Sequence, residues 1–413
     1  AINPITLLIL NSMDLNGNFI VGWMILLEFI FTLALALKCY PLQPGGLIAI
    51  QALFLGLTNP YSLLHEIEHN LEVILLLVFM VAGIYFMKNL MLTIFTKLLL
   101  TIHSKTKLSL MFCFVSAFLS AFLDALTVTA VLIAVAVGFY RIFHLATSGL
   151  AFSTSAHDYQ DDSTLSEAGI EDLESFKAFL RDLIMHGVVG TALGGVCTIV
   201  GEPQNLLIAN VAGWEFIEFM IKMAPITVPV FIAGMITCFA IEKLHICGFG
   251  NQLPLRIKNI FHEFNDYELA QSTDETRLEL YIEMLVGISL IIALALHLAA
   301  VGIIGLGVII LLTSFKGITH EHDLGDAFKE ALHFTALLVV FFGVVSVIAD
   351  QQLFTPIITF VLAQEAANQA PIFFVANGVL SAISDNVFVA TIYINEIKDA
   401  LDLNVISREQ FDK

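Results

Sequence analysis

Leu119-Ser120-Ala121-Phe122-Leu123-Asp124 recurs as Leu380-Ser381-Ala382-Ile383-Ser384-Asp385, 261 residues further along the chain. The same offset pairs Gly46 with Gly307, Gly56-Leu57-Thr58 with Gly317-Ile318-Thr319, and Leu76-Leu77-Val78 with Leu337-Leu338-Val339. Matches in a single register indicate a duplicated unit, and each copy places an aspartate in the middle of an apolar segment. A charge in hydrocarbon costs several kcal/mol unless a proton or a cation neutralises it. Paired intramembrane carboxylates on duplicated halves therefore point to ion-coupled secondary transport.

The composition agrees with a membrane setting. The chain is 58% hydrophobic and 13% charged, with a mean hydropathy of +0.88, far more apolar than a soluble domain. The net charge of −19 is carried largely by polar stretches such as His157 to Asp182 and Glu263 to Arg277, outside the bilayer, and it excludes nucleic acid as a partner. Cys39, Cys113, Cys197, Cys238 and Cys247 have no paired spacing, which favours buried free thiols over disulfides or a resident metal site. The sequence is read as a transporter rather than an enzyme, with no cofactor. Because Ala1 is not an initiator and Ile5 to Leu10 resembles the tail of an apolar segment, it is also read as a fragment whose second copy is cut short.

Spanning helices need about 20 mostly apolar residues. Candidates run from Phe19 to Leu37, Gly45 to Leu57, Glu72 to Ile94, His186 to Ala212, Ala224 to Ile241, Leu278 to Ala300, Val301 to Ser314 and Glu330 to Ile348. Residues 107–143 and 354–397 are too long for one straight span, and an aspartate splits each near its middle. They are expected to be hairpins that enter and return on one side, with tips shielded by protein or a wet cavity. Placing Lys38, Lys97, Lys105, Lys107, Arg141, Lys177, Arg181, Lys243, Arg256, Lys258, Arg277, Lys316 and Lys329 in the cytoplasm suits one alternation of spans. Five crossings then separate the copies, which inverts the second. The expected fold is an all-α polytopic membrane protein, an inverted repeat with two re-entrant hairpins and broken transmembrane helices. Its organisation is a first repeat over 1–241 with hairpin 107–143 and broken helix 186–212, a cytoplasmic amphipathic linker over 242–277, and an incomplete second repeat over 278–413 with hairpin 354–397.

Ile170, Leu173, Phe176, Leu180 and Leu183 make one apolar stripe, as do Ile257, Ile260, Phe261 and Phe264, so both linkers are expected to be helices lying on the membrane surface. A third motif is Gly195-Val196-Cys197-Thr198-Ile199-Val200-Gly201-Glu202-Pro203-Gln204-Asn205. Gly201 and Pro203 interrupt the helix and free backbone groups that an ion can use, while Glu202, Gln204 and Asn205 add side-chain oxygens. Gly187, Gly190, Gly194 and Gly195 leave a nearly bald helix face suited to close packing.

At Leu119 to Val128, Thr191 to Asn205 and Ser381 to Asn395, supported by Lys38-Cys39-Tyr40-Pro41 and Gly83 to Met87, the chain resembles the NhaB-type sodium/proton antiporters of bacteria. These fall within a wider ion transporter superfamily that includes sodium-coupled dicarboxylate carriers. The resemblance runs from Phe29 to Asn395. The superfamily's hairpin tips look like Ser-Asn-Thr, whereas these read Asp124-Ala125-Leu126-Thr127 and Ser384-Asp385-Asn386-Val387, so an acid is added at each. The resemblance implies a bacterial inner-membrane, multi-pass location, a homodimer, and a further broken helix that would lie beyond Lys413.

Desolvation makes a carboxylate hold its proton, and a bound cation displaces that proton, so sodium and protons compete for one group. Hard oxygen ligands suit such a cation. The expected ion path is Asp124, Thr127, Asn205, Asp385 and Asn386, joined by Gly201 and Glu202 of the broken-helix motif. Membrane lipid, Na+ (or Li+) and H+ are the implied partners. Each acid has a plainer reading: Asp124 as a cap on the amides of Leu126 or Thr127, Asp385 as part of a polar cap with Ser384 and Asn386, Glu202 as neutralising a helix N-terminus, Glu28 as a packed acid, and His186 as a satisfied structural group. A sodium-driven organic anion (dicarboxylate) symporter is the alternative function; it would favour a lysine or arginine near a tip, and neither tip has one.

Overall fold

A backbone surrounded by hydrocarbon must satisfy its own polar groups, so apolar runs of this length become helices. The computed structural model describes residues 2–36, 38–154, 157–159, 161–381, 386–403 and 406–411, and all regular structure among them is helical. Among the described residues five helices are long and apolar enough to cross a membrane: Gly17–Ala34, Lys105–Phe122, Ala125–Thr147, Phe216–Leu244 and Asp274–Ala295. Two bent pairs, Pro60–His69 with Leu71–Tyr85 at 64° and Thr335–Asp350 with Thr355–Val361 at 58°, raise the number to seven. Apolar side chains such as Ile226, Ile232 and Ile236 lie exposed along Phe216–Leu244, as a lipid-facing helix requires.

The chain divides into two compact units that interleave in sequence. One comprises Ala1–Val78, Pro203–Glu215 and Phe328–Lys413; the other comprises Phe79–Glu202 and Phe216–Ala327. The first packs around Val21, Ile25, Ala52, Leu57 and Val347. There Asp350 accepts hydrogen bonds from Thr58 at 2.8 Å and Ser62 at 3.0 Å, and Glu28 accepts one from Asn3 at 2.8 Å, so Glu28 is a packed, hydrogen-bonded acid.

The second unit is organised by Glu167–Gly195, a single helix of 29 residues. Lys105 lies 3.7 Å from Asp182, and Ala121 accepts from Thr198, so Lys105–Phe122 runs parallel to the long helix. Thr129 meets Thr191 while Thr147 borders Gly169, so Ala125–Thr147 runs the opposite way. The chain therefore turns back at Leu123-Asp124 as a helical hairpin with both arms on one partner helix. Glycine makes this packing possible. A Cβ on Gly190 would stand 2.1 Å from the Cys113 carbonyl oxygen, and one on Gly194 would stand 1.9 Å from that of Ala117.

Two sequence expectations change. The segment 170–183 is not a separate surface helix: it continues unbroken into the glycine-rich helix, with Leu173, Phe176, Leu180 and Leu183 buried. Phe176 packs against Phe143 and Phe261, because the second arm and Leu255–Gln271 cover the stripe that lipid was expected to cover. The apolar run 72–94 is not one helix either. It passes through a π-helical turn at Leu76–Met80, ends at Tyr85 and restarts at Lys88. Gly305 presses on this bend, since a Cβ there would lie 2.7 Å from the Met80 amide nitrogen.

Several element boundaries recur at the same offset as the sequence motifs. Helix ends Phe54 and Phe315, helix starts Lys105 and Ala366, and helix starts Ala125 and Asn386 each stand 261 apart. Gly56 and Gly317 both take left-handed φ, +70° and +67°, after helices Leu42–Phe54 and Val301–Phe315. Each helix end is closed by the same bond, Leu57 N to Ala52 O and Ile318 N to Thr313 O.

Gly194→Ala is expected to destabilise the protein by about 1–3 kcal/mol through overpacking. Gly138→Ala, where a Cβ would meet nothing within 4 Å, is expected to be neutral or better. Thermal unfolding in detergent compares the two, and equal effects would sink the close-packed seam.

Candidate functional site

Asp124 stands between the two arms as the N-cap of Ala125–Thr147, a position where a short side chain accepts from the free amides of the first turn. Its Oδ2 accepts from the Thr127 amide at 3.0 Å and from the Thr127 hydroxyl at 3.3 Å, and the Leu126 amide also donates to it. Asp124 is 5% exposed, and among the described residues no lysine, arginine or histidine forms an ion pair with it. The helix N-terminus supplies partial positive charge without a counter-ion, which leaves the carboxylate able to take a proton or a small cation.

The long helix stops at Gly195, and a new helix starts at Pro203, so residues 196–202 form the break. The break is buried: Thr198, Ile199 and Val200 are each at most 4% exposed. Thr198 donates to the Ala121 carbonyl and accepts from the Gly201 amide at 3.3 Å. A Cβ on Gly201 would lie 2.7 Å from the Ser120 carbonyl oxygen and 2.4 Å from that of Gly195, so the loop turns within backbone contact of the first arm. Glu202 is half-buried and folds back over Gly195. The structure thus brings the break alongside Ser120 and Ala121, the turn of helix that leads into Asp124.

Of the expected ion-path residues, Asp124, Thr127, Gly201 and Glu202 fall in the second unit. Asn205 and Asn386 fall in the first, where Asn205 is buried on Pro203–Ala212 and that helix packs against Asn386–Asp402. Asn386 accepts from the Ser381 hydroxyl. Asp385 lies outside the described residues, as does Ser384.

Sequence reasoning missed two buried ion pairs of the second unit. Lys105 meets Glu242 at 2.7 Å, and Lys316 meets Glu283 at 2.8 Å, with Glu283 also accepting from the Leu90 amide at 2.6 Å. His186, assigned a structural role, is bonded to Glu242 at 3.1 Å. Each of these acids sits within a stretch rich in apolar residues, so its departure from the surrounding pattern was the available signal.

Asp124→Asn keeps an oxygen that can accept from Thr127 and is expected to cost only a few tenths of a kcal/mol in thermal stability; Asp124→Ala removes the cap and is expected to cost about 1 kcal/mol. Thermal unfolding of both variants checks the cap, and an alanine variant as stable as the asparagine one would refute it.

A family profile described as bacterial Na+/H+ antiporter B (NhaB) matches residues 1–413. A Na+/H+ antiporter NhaB of Teredinibacter turnerae is 60% identical over 394 residues, covering 95% of this chain and 78% of the relative. The protein of that name from Saccharophagus degradans is 61% identical, covering 95% and 79%. The one from Photobacterium profundum is 56% identical over 413 residues, covering the whole of this chain and 78% of the relative.

Proposed function

The chain belongs to the NhaB family of bacterial Na+/H+ antiporters, and from that premise we propose that it is a multi-pass transporter exchanging cytoplasmic Na+ for external H+ at the bacterial inner membrane. Membership makes it a membrane transporter rather than an enzyme. One observation carries the ion chemistry: a buried carboxylate, Asp124, held at a helical turn, among the described residues, by neutral donors alone. A lysine or arginine partner would neutralise it permanently; amides and a hydroxyl leave that to the transported ion.

The transport cycle follows from the electrostatics. With a proton or Na+ bound, the hairpin is close to neutral and can change its exposure; empty, it carries a charge that hydrocarbon resists. Na+ and H+ compete for the same oxygens, and their exclusion of one another is what makes the process exchange. Thr127, the broken helix at Gly201 and Glu202, and Asn205, Asp385 and Asn386 complete the proposed path with hard oxygen ligands. The recurring boundaries 261 residues apart support two related halves. We assign them opposite membrane orientations, with the hairpins entering from opposite sides, so that alternating access arises by one half rocking against the other. Li+, another small hard cation, would use the same oxygens, and two copies would assemble as a homodimer. No observation favours an organic anion as substrate.

Inverted membrane vesicles with an imposed proton gradient test the proposal. Added Na+ is expected to collapse the gradient with the unsubstituted protein, and Asp124→Asn at equal abundance is expected to lower that response more than about tenfold. Absence of a Na+ response in the unsubstituted protein would sink antiport; full activity in the variant would restrict Asp124 to capping.

A further inference from the structure

The chain carries a net charge of −19, yet two of its segments are purely basic. Residues 97–107 hold Lys97, His103, Lys105 and Lys107 without an acid, and residues 252–262 hold Arg256, Lys258 and His262 without an acid. The second unit folds both segments onto one open cavity of about 190 Å3. His103, Lys105, Lys258 and His262 line it, beside Phe179 and Leu255, and no aspartate or glutamate is among the described lining residues.

The four basic side chains differ in what already holds them. Lys105 is 5% exposed, and its ammonium is taken by Glu242 at 2.7 Å and Asp182 at 3.7 Å, so it is a wall of the cavity and not its anchor. Lys258 is half-buried and forms no ion pair among the described residues, whereas its neighbour Arg256 is drawn to Glu171 at 4.0 Å and Asp172 at 3.9 Å. A half-buried ammonium without a counter-ion favours an anionic ligand. His103 and His262 are exposed, with ring centroids 6.3 Å apart, a separation that one tetrahedral anion can bridge. His103 Nδ1 lies 2.8 Å from the Thr101 carbonyl, which can only accept, so Nδ1 carries the hydrogen and Nε2 is left for a ligand.

Two helices also begin at the cavity. Lys105 and Leu108 belong to the first turn of Lys105–Phe122, Leu255 and Lys258 to that of Leu255–Gln271, and neither Ser104 nor Pro254 caps its helix with a side chain. Two uncapped N-termini add partial positive charge to that of the side chains. The negative end of Lys88–Thr101 borders the cavity at Leu99 and Leu100, but its Leu98 carbonyl accepts from the Ile102 amide at 3.0 Å and its Thr101 carbonyl from His103.

We propose that this cavity binds a phosphate group, anchored by Lys258 and bridged by His103 and His262 at the start of the two helices. Phosphate presents several strong acceptor oxygens to donors converging from different elements, which suits it better than a planar carboxylate. Leu255, 79% exposed, and the half-buried Leu100 and Ile102 give the site an apolar margin, so an anionic phospholipid headgroup and free phosphate are its two sources. The site is separate from the ion path and does not depend on the antiport reading.

Thermal unfolding of the full protein in non-ionic detergent tests it, with inorganic phosphate against chloride at equal ionic strength, and with phosphatidylglycerol against phosphatidylcholine. A ligand that binds only the folded state stabilises it by mass action, so at least one source is expected to raise Tm by about 2 °C or more over its control. A shift with inorganic phosphate, whatever the lipid does, assigns free phosphate as sufficient; a shift with phosphatidylglycerol alone assigns a lipid headgroup. Lys258→Gln is expected to lose about half of the shift or more, and Lys258→Arg to keep it. Lys243→Gln removes an exposed charge that does not line the cavity and is expected to keep the shift as well. If Lys258→Gln fails to fold, the double variant His103→Asn with His262→Asn, at exposed positions, carries the same expectation. No shift from either source overturns the proposal. So does a shift that Lys258→Gln, or in its place the histidine double variant, leaves intact, and so does one that Lys243→Gln weakens equally, because the attraction would then be diffuse.

Discussion

Backbone meets backbone along the seam between Lys105–Phe122 and Glu167–Gly195, and the rest of the second unit is arranged around that contact. Gly190 and Gly194 approach the carbonyls of Cys113 and Ala117 more closely than any side chain would permit. Between apolar helices in lipid there is little hydrophobic drive, so dispersion and weak Cα–H···O contacts at short range must hold them. The seam fixes the depth of the first arm, and with it the level at which the chain turns at Asp124. Gly201 extends the same close approach past the end of the helix, which places the break beside Ser120.

Polar groups occupy this tight seam at regular intervals. Lys105, Ser109, Ser116, Ser120 and Asp124 are all buried on the arm or at its end. Ser120 donates to the Thr191 carbonyl, and Thr191 also meets Thr129. Ser116 is the exception: its buried hydroxyl finds no hydrogen-bond partner among the described residues. An unsatisfied group of this kind costs about 1–3 kcal/mol. A purely structural seam would do better with alanine. The run of hydroxyls lies between Lys105 at the root of the arm and Asp124 at its turn.

Much of the architecture was legible because a bilayer imposes simple rules. The apolar runs 19–37, 45–57, 224–241, 278–300 and 301–314 all became helices, with boundaries shifted by several residues. Asp124 was expected at a hairpin turn and stands there; its capping by Leu126 and Thr127 was also foreseen from the local sequence. The stripe from Leu173 to Leu183 was read correctly as apolar and assigned the wrong neighbour. A periodic pattern reports that one face is shielded from water, but lipid and protein shield it equally well. The bend at Leu76–Met80 was missed because its cause, Gly305, lies more than two hundred residues away.

The sequence by itself determined the membrane class, the motifs that recur 261 residues apart, the acid at the first turn, and the glycine face that had to pack closely. These are properties of composition, periodicity and short motifs, and each is written in contiguous residues. Only the tertiary structure decided that Glu242 would gather Ser109 from 133 residues away and His186 from 56, and that Lys316 would answer Glu283. A buried charge must be neutralised by whatever the packing brings near it, and which residue that is depends on helix register and rotation that no local pattern encodes.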